Sequence, residues 1–578
     1  MNTKLFRRTG FLAGSAALTL AISACAPTGG GSEPHLQVDQ GPNWTAQTRS
    51  DFYTRYQGSQ IMPLAWMKAL KQPGGAPFLS DSLSRYGYLP NDDINAGGLP
   101  VGFTTGDGMI GMSCAACHTR QITVAGAPYR IDGGPAITDF QSFLADLDTS
   151  VGTVLVDPAA FDAFAQSVLG GTPSPGDKAK LRQEVSDWYL RYDTLIKRAL
   201  PSPAWGPARL DAVAMIFNRL TGLDLGPAPS YLIADNIRPA VAPVRYPFLW
   251  NAPVQDMTQW PGFAGNGNDI LGLSRNLGEV YGVFAMFHPT KSASSPFGID
   301  YTGINSADFK GLGALETLIK QLGPPKWPWA LDQALVAQGK TVFERGADAG
   351  GCADCHGIRA GITRFFEQQT WETRILDVGT DSREYDILAW TAQSGVLDGA
   401  KIPLITDPLK PTDKSFSILS TAVIGSILQH YLPFTAAEQQ AQARAGEAAP
   451  NALSITPETA DLKDAFRQSV PAASTGFAYE SRVLQGIWAA APYLHNGSVP
   501  SLAELLKPAA QRTAAFQVGP AYDTVNVGLA ANQTAFGYTL KTTGCDDRNS
   551  GNSRCGHEYG TSLSPEDKRA LLEYLKAL

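Results

Sequence analysis

Apolar positions recur at helical spacing along much of this chain, and Gly and Pro cut that periodicity into pieces. Phe140, Phe143, Leu144 and Leu147 fall on one helical face. Asp157-Pro158 joins a cap to a first-turn proline, Phe161, Phe164, Ala165 and Val168 share the apolar face that follows, and Gly170 stops it. The run Gly323-Pro324-Pro325-Lys326-Trp327-Pro328 interrupts the pattern and reads as an interdomain connection. A helix from about Leu331 carries Gly339 and Phe343 four apart. At the C-terminus Ser564-Pro565-Glu566-Asp567 supplies a cap with Pro at the first position, and Leu571, Leu575 and Leu578 share a face. Residues 435–450 are rich in Ala, Gln and Glu and read as solvated. The pattern predicts a mainly α fold with long loops and few short strands.

Composition narrows the class. The chain has 578 residues, 44% apolar and 17% charged, with a formal net charge of -7. That length predicts two to four domains. The weak acidic balance speaks against nucleic acid as a partner and against a disordered chain. The 58 Gly and 40 Pro support a loop-rich body.

The N-terminus has its own logic. Lys4, Arg7 and Arg8 precede an apolar run from Phe11 to Ala24, of signal-segment length and too short to span a bilayer comfortably. Ile22-Ser23-Ala24-Cys25 resembles a bacterial lipoprotein box, which implies cleavage after residue 24 and lipidation of Cys25. Ala26 after that cysteine, rather than Asp, resembles an outer-membrane sorting signal. The expected location is the cell envelope, lipid-anchored, on its periplasmic or extracellular face. Residues 25–45 then form a flexible tether rich in Gly, Pro and Ser. Residues 46–323 are expected to form an N-terminal domain and 324–578 a C-terminal domain.

The chemistry is carried by cysteine arithmetic. Four of the seven cysteines lie in Cys114-Ala115-Ala116-Cys117-His118 and Cys352-Ala353-Asp354-Cys355-His356. Two thiols three apart can both bond the vinyl groups of one porphyrin, and the next histidine reaches its iron. A thioredoxin-like pair or a half zinc site must explain the same histidine twice, so the expectation is two covalently bound haems c, one in an N-terminal haem c domain at 46–323 and one in a C-terminal cytochrome c domain at 324–578. Once Cys25 is lipidated, Cys545 and Cys555 remain, and a disulfide between them stabilises their polar loop by about 3 kcal/mol in the chain-entropy model.

Each motif supplies one axial ligand, and the opposite position decides the chemistry. All eight methionines precede residue 287, so a His/Met haem built within residues 324–578 is excluded. His430, His495 and His557 are the local candidates. His430 follows an apolar helical stretch, His557 sits in the disulfide loop, and His495 lies in a Pro- and Asn-Gly-bounded turn that can aim an imidazole. For the first haem the sixth ligand is Met109, Met112, Met257, Met286, His288 or none.

The segment Pro492-Tyr493-Leu494-His495-Asn496-Gly497-Ser498 resembles the Pro-Tyr-Xaa-His-Asp-Gly-Ser run of the bacterial dihaem cytochrome c peroxidase superfamily. Because the later peroxidase methionine is absent here, the chain is more similar to the rubber oxygenase A branch. That resemblance implies His495 as the distal ligand of a relay haem, and an oxygen-binding N-terminal haem lined by aromatic residues. The segments Tyr246–Trp250 and Gln259–Phe263, followed by Arg275–Glu279, are the candidate lining. Trp260 and Glu279 are the catalytic candidates, the second because peroxide cleavage needs a proton carrier. The resemblance also implies an inter-domain calcium, for which the sequence offers no ligand cluster. The expected function is electron relay through the C-terminal haem and activation of peroxide or dioxygen at the N-terminal one. The partners are a redox protein or a small-molecule oxidant. A non-catalytic electron carrier and a polyisoprene-cleaving dioxygenase are the alternatives.

Overall fold

The computed structural model describes residues 34–93, 96–364, 368–402, 405–431 and 477–578. The signal segment, Cys25, the start of the tether and residues 435–450 lie outside them. Among the described residues 39% are helical and 16% lie in strands or bridges. The expectation of a mainly α chain with few strands is therefore corrected to a mixed α and β class. The strands are two to six residues long and pair in twos and threes. Alternation over so few residues is too brief to stand out against helical periodicity.

Two of these hairpins build the surroundings of the first motif. Phe103–Gly106 pairs with Met109–Met112, and Thr119–Val124 pairs with Ala127–Asp132. Each is closed by two residues of positive φ, Asp107-Gly108 and Ala125-Gly126, which match the right-handed twist of the flanking strands. Cys114–Cys117 is a single helical turn held between them, with the His118 amide donating to the Cys114 carbonyl at 2.9 Å.

The strongly periodic segments form helices. They include Phe140–Val156, Pro158–Leu169, Gln333–Phe343 and Pro565–Ala577, capped by the side chains of Asp139, Asp157, Asp332 and Ser564. The apolar faces of the first two join one core, to which Ile387, Ile418 and Ile427 also contribute. A second core brings Val38, Trp44 and Phe52 together with Trp250, Trp488, Leu571 and Leu575. Both cores therefore draw on residues from either side of the expected break at 323. No helix among the described residues is long and apolar enough to cross a membrane.

The 333–343 and 565–577 helices cross at Gly339, where an added Cβ would stand 1.9 Å from the Ala570 carbonyl oxygen. Alanine is the better helix former, so on propensity alone Gly339→Ala would stabilise. Steric overlap with backbone outweighs this, and the substitution is expected to cost about 1–3 kcal/mol in chemical denaturation. Unchanged or raised stability would show that the crossing is looser than described.

Candidate functional site

Each Cys-Xaa-Xaa-Cys-His segment opens on its own cavity. The first, of about 900 Å³, is lined by Cys114, Cys117 and His118 and by Gln259, Arg275 and Glu279. The second, of about 1280 Å³, is lined by Cys352, Cys355, His356, His495 and His557. All four motif cysteines are half-buried. Burial pushes Cys114 and Cys117 up to about 12 and Cys352 up to about 11. Among the described residues no group of three His, Cys, Asp or Glu side chains could hold a metal ion.

The motif histidines are held the same way at both sites. His118 Nδ1 lies 2.9 Å from the Pro247 carbonyl oxygen, and His356 Nδ1 lies 2.7 Å from that of Arg482. A carbonyl can only accept, so each Nδ1 carries the proton and each Nε2 keeps its lone pair. Burial lowers His118 to about 4 and lowers His356 as well. Neutral imidazoles of fixed tautomer are what metal ligation requires.

Opposite His356 stands His557. Their ring centres are 6.2 Å apart and tilted by 42°. His557 Nδ1 is buried with no partner in the protein, and burial together with the neighbouring His356 pushes this imidazole down to about 3. Its backbone is fixed from three directions. The His557 amide donates to the Val378 carbonyl, Arg512 donates to the carbonyl oxygens of Arg554, Gly556 and His557, and Cys545 is bonded to Cys555. Replacing both cysteines by serine is expected to lower stability by about 3 kcal/mol. Denaturation under non-reducing conditions measures this, and an unchanged midpoint would mean that Arg512 suffices to hold the loop.

His495 also lines the second cavity but is engaged elsewhere. Its Nε2 is 3.0 Å from Asp381 Oδ2, and its ring stacks on Tyr479 at 3.8 Å. Burial works against the Asp381 charge, but the His495 charge and hydrogen bond hold that carboxyl below the usual range. His557 thus stands beside His356, and His495, on the wall of the same cavity, has a carboxylate partner. His430, the third candidate, stacks on Phe309 at 4.0 Å.

At the first site the expected aromatic lining divides. Pro247, Phe248 and Leu249 line the cavity, with Pro247 supplying the carbonyl that holds His118 and Tyr246 standing edge-on to that imidazole at 6.2 Å. This segment therefore supports the histidine from its own side. Trp260, expected in the same lining, instead lines the second cavity, donates from Nε1 to the Arg245 carbonyl at 3.1 Å and covers the Arg245 guanidinium at 4.7 Å. The cause is local: Gln259 has φ 67, a reversal that sends neighbouring side chains to different cavities.

Glu279 does face the first cavity. It projects from the helix Asp269–Gly282, whose first turn is capped by the Asn268 side chain. It accepts from Gln259 Nε2 at 2.8 Å, and burial raises its pKa although Arg275 opposes this. Arg275 is itself tied to Glu316, 2.6 Å away. Gln259, Arg275 and Glu279 also line an adjoining apolar chamber of about 750 Å³ with Phe217, Phe263, Leu271, Phe416, Leu419 and Val423. Of the sixth-ligand candidates, Met112 lines the first cavity, while Met286 is exposed and His288 stacks on Tyr231 beside Arg191 and Asp224.

A protein-family model described as RoxA-like, cytochrome c-like matches residues 478–517. That stretch contains Arg482, Tyr493 and His495. Two proteins of Sinorhizobium fredii, named only as uncharacterized proteins y4iJ and y4iM, are similar to this chain. The first is 29% identical and the alignment covers 93% of this chain and 92% of that one. The second is 24% identical over 57% of this chain and 63% of its own length. A cytochrome c-like domain is present, and it implies covalently bound haem c and a haem-based oxidoreductase.

Proposed function

We propose that this chain is an exported, lipid-anchored dihaem oxidoreductase whose two sites divide the work. Cys114, Cys117 and His118 would hold one haem c and Cys352, Cys355 and His356 the other, with His557 as the second ligand there. Haem c supplies a one-electron couple where both axial positions are filled and a place for peroxide or dioxygen where one is open. The observation that carries the reading is the difference between the cavities: an imidazole faces His356, whereas a buried carboxylate with an amide and a guanidinium lines the cavity of His118.

Glu279 would take up and return a proton in the first cavity, the role that peroxide or dioxygen chemistry there would need, and Gln259 orients its carboxylate. The adjoining chamber is apolar and opens on the same three polar side chains, so it suits an apolar organic substrate brought next to the oxidant. The 269–282 helix forms a wall common to both spaces, and its Glu279 can serve either.

Met112 favours a second reading, a non-catalytic electron carrier, because a thioether in the first cavity could close that site. Resting-state EPR and optical spectra separate the two. One high-spin and one low-spin ferric signal are expected. Two low-spin signals, with the near-infrared band of thioether ligation and no response to peroxide or dioxygen, would replace the oxidoreductase reading with the carrier.

A further inference from the structure

We propose that Arg482 is a positioning residue that ties the two candidate haem sites into one redox unit. The proposal rests on the reading that both motifs carry haem. A single connected path joins the two motif imidazoles. His118 Nδ1 donates to the Pro247 carbonyl, and the next residue, Phe248, offers its carbonyl to Arg482 Nη1 at 2.7 Å. The Arg482 carbonyl then accepts from His356 Nδ1 at 2.7 Å. Between one imidazole and the other stand three hydrogen bonds, one peptide link and one arginine.

The guanidinium is held on every side. Nε and Nη2 donate to Gln255 Oε1 at 3.1 and 2.8 Å, and its plane lies over the Phe248 ring at 4.1 Å. Arg482, Phe248 and Glu480 line both cavities, so the partition between the two sites is one layer of side chains. The nearest carboxylate, Glu480, is 3.7 Å from Nε, beyond a good hydrogen bond, and its Oε2 has no partner. Arg245, buried on the second cavity wall, adds positive charge to the same partition.

Two effects follow at both sites. The arginine backbone and side chain fix the orientation of both imidazoles, one directly and one through Phe248. Its charge, in a low-dielectric partition, penalises the more positive oxidised state on either side. Arg482 therefore raises both potentials together. Trp260 lines only the second cavity and provides the contrast.

The test is an optically monitored potentiometric titration of the purified holoprotein, with haem content from the pyridine haemochrome. In Arg482→Gln both midpoint potentials are expected to fall, each by at least the 59 mV that a tenfold change in a one-electron equilibrium represents. Arg482→Lys, which keeps the charge, is expected to bring both back toward the wild-type values, and Trp260→Phe to move the second alone. If Arg482→Gln does not accumulate, Gln255→Leu removes the oxygen that two guanidinium nitrogens share, and both potentials should again move together. Movement of one potential alone, or of neither, overturns the proposal while leaving two haems in place. A wild-type chain carrying one haem overturns the dihaem reading and this inference with it.

Discussion

Glu279→Gln is expected to lower peroxide- or dioxygen-dependent turnover by about 10²- to 10⁴-fold, the usual contribution of a positioned proton carrier. The isosteric amide keeps an acceptor for Gln259, so haem content and stability should stay near those of the wild type. Only the capacity to take up and release a proton is removed. The carboxylate is held in place because Leu277 and Tyr281 of its own helix are buried on the opposite face. Burial raises the Glu279 pKa above the ordinary glutamate value of 4.5. As a base it works only when deprotonated, so the rate should rise with pH through a pKa above that value, and this limb should vanish in the amide variant. Stopped-flow turnover across pH measures both effects. A variant with wild-type rate and profile would remove Glu279 from the chemistry.

His557→Gly is expected to convert the low-spin signal of the second site to high-spin, with added imidazole restoring it. The prediction follows from the 6.2 Å spacing to His356 and from the absence of any protein partner for His557 Nδ1. His495→Gln is the comparison, because it loses the Asp381 contact and leaves the His356–His557 pair intact. EPR spectra of the two variants decide between the histidines. If the spin state changes in His495→Gln and not in His557→Gly, the ligand is the one that the family resemblance implied.

What could be read from the sequence was local. Cys-Xaa-Xaa-Cys-His is a motif whose chemistry is set by spacing within one helical turn, and both copies open on cavities. The four periodic helices have enough apolar positions to declare a face, and Glu279, named because it lies near an aromatic supply, lines the first cavity. The closeness of His356 and His557 was not visible, because residues 356 and 557 are brought together by tertiary packing. Asp381, the residue that occupies His495, is more than a hundred positions away and carries no motif. Trp260 was misplaced by the single left-handed residue before it, since Gln at positive φ leaves no sequence signal. Arg482 was missed for a related reason: its role comes from carbonyl oxygens, which every residue has. The strands were missed because their turns, Asp107-Gly108 among them, are flanked by too little alternation.

The intermingled cores have a consequence for how this molecule can be cut. A protease that nicks the Pro-rich stretch at 323–328 would leave Trp44, Phe52 and Trp250 on one fragment and Trp488, Leu571 and Leu575 on the other, still clasped in the same apolar mass. The halves should comigrate under native conditions and part only in denaturant. Neither could be shed, swapped or inherited alone without leaving a raw hydrophobic face.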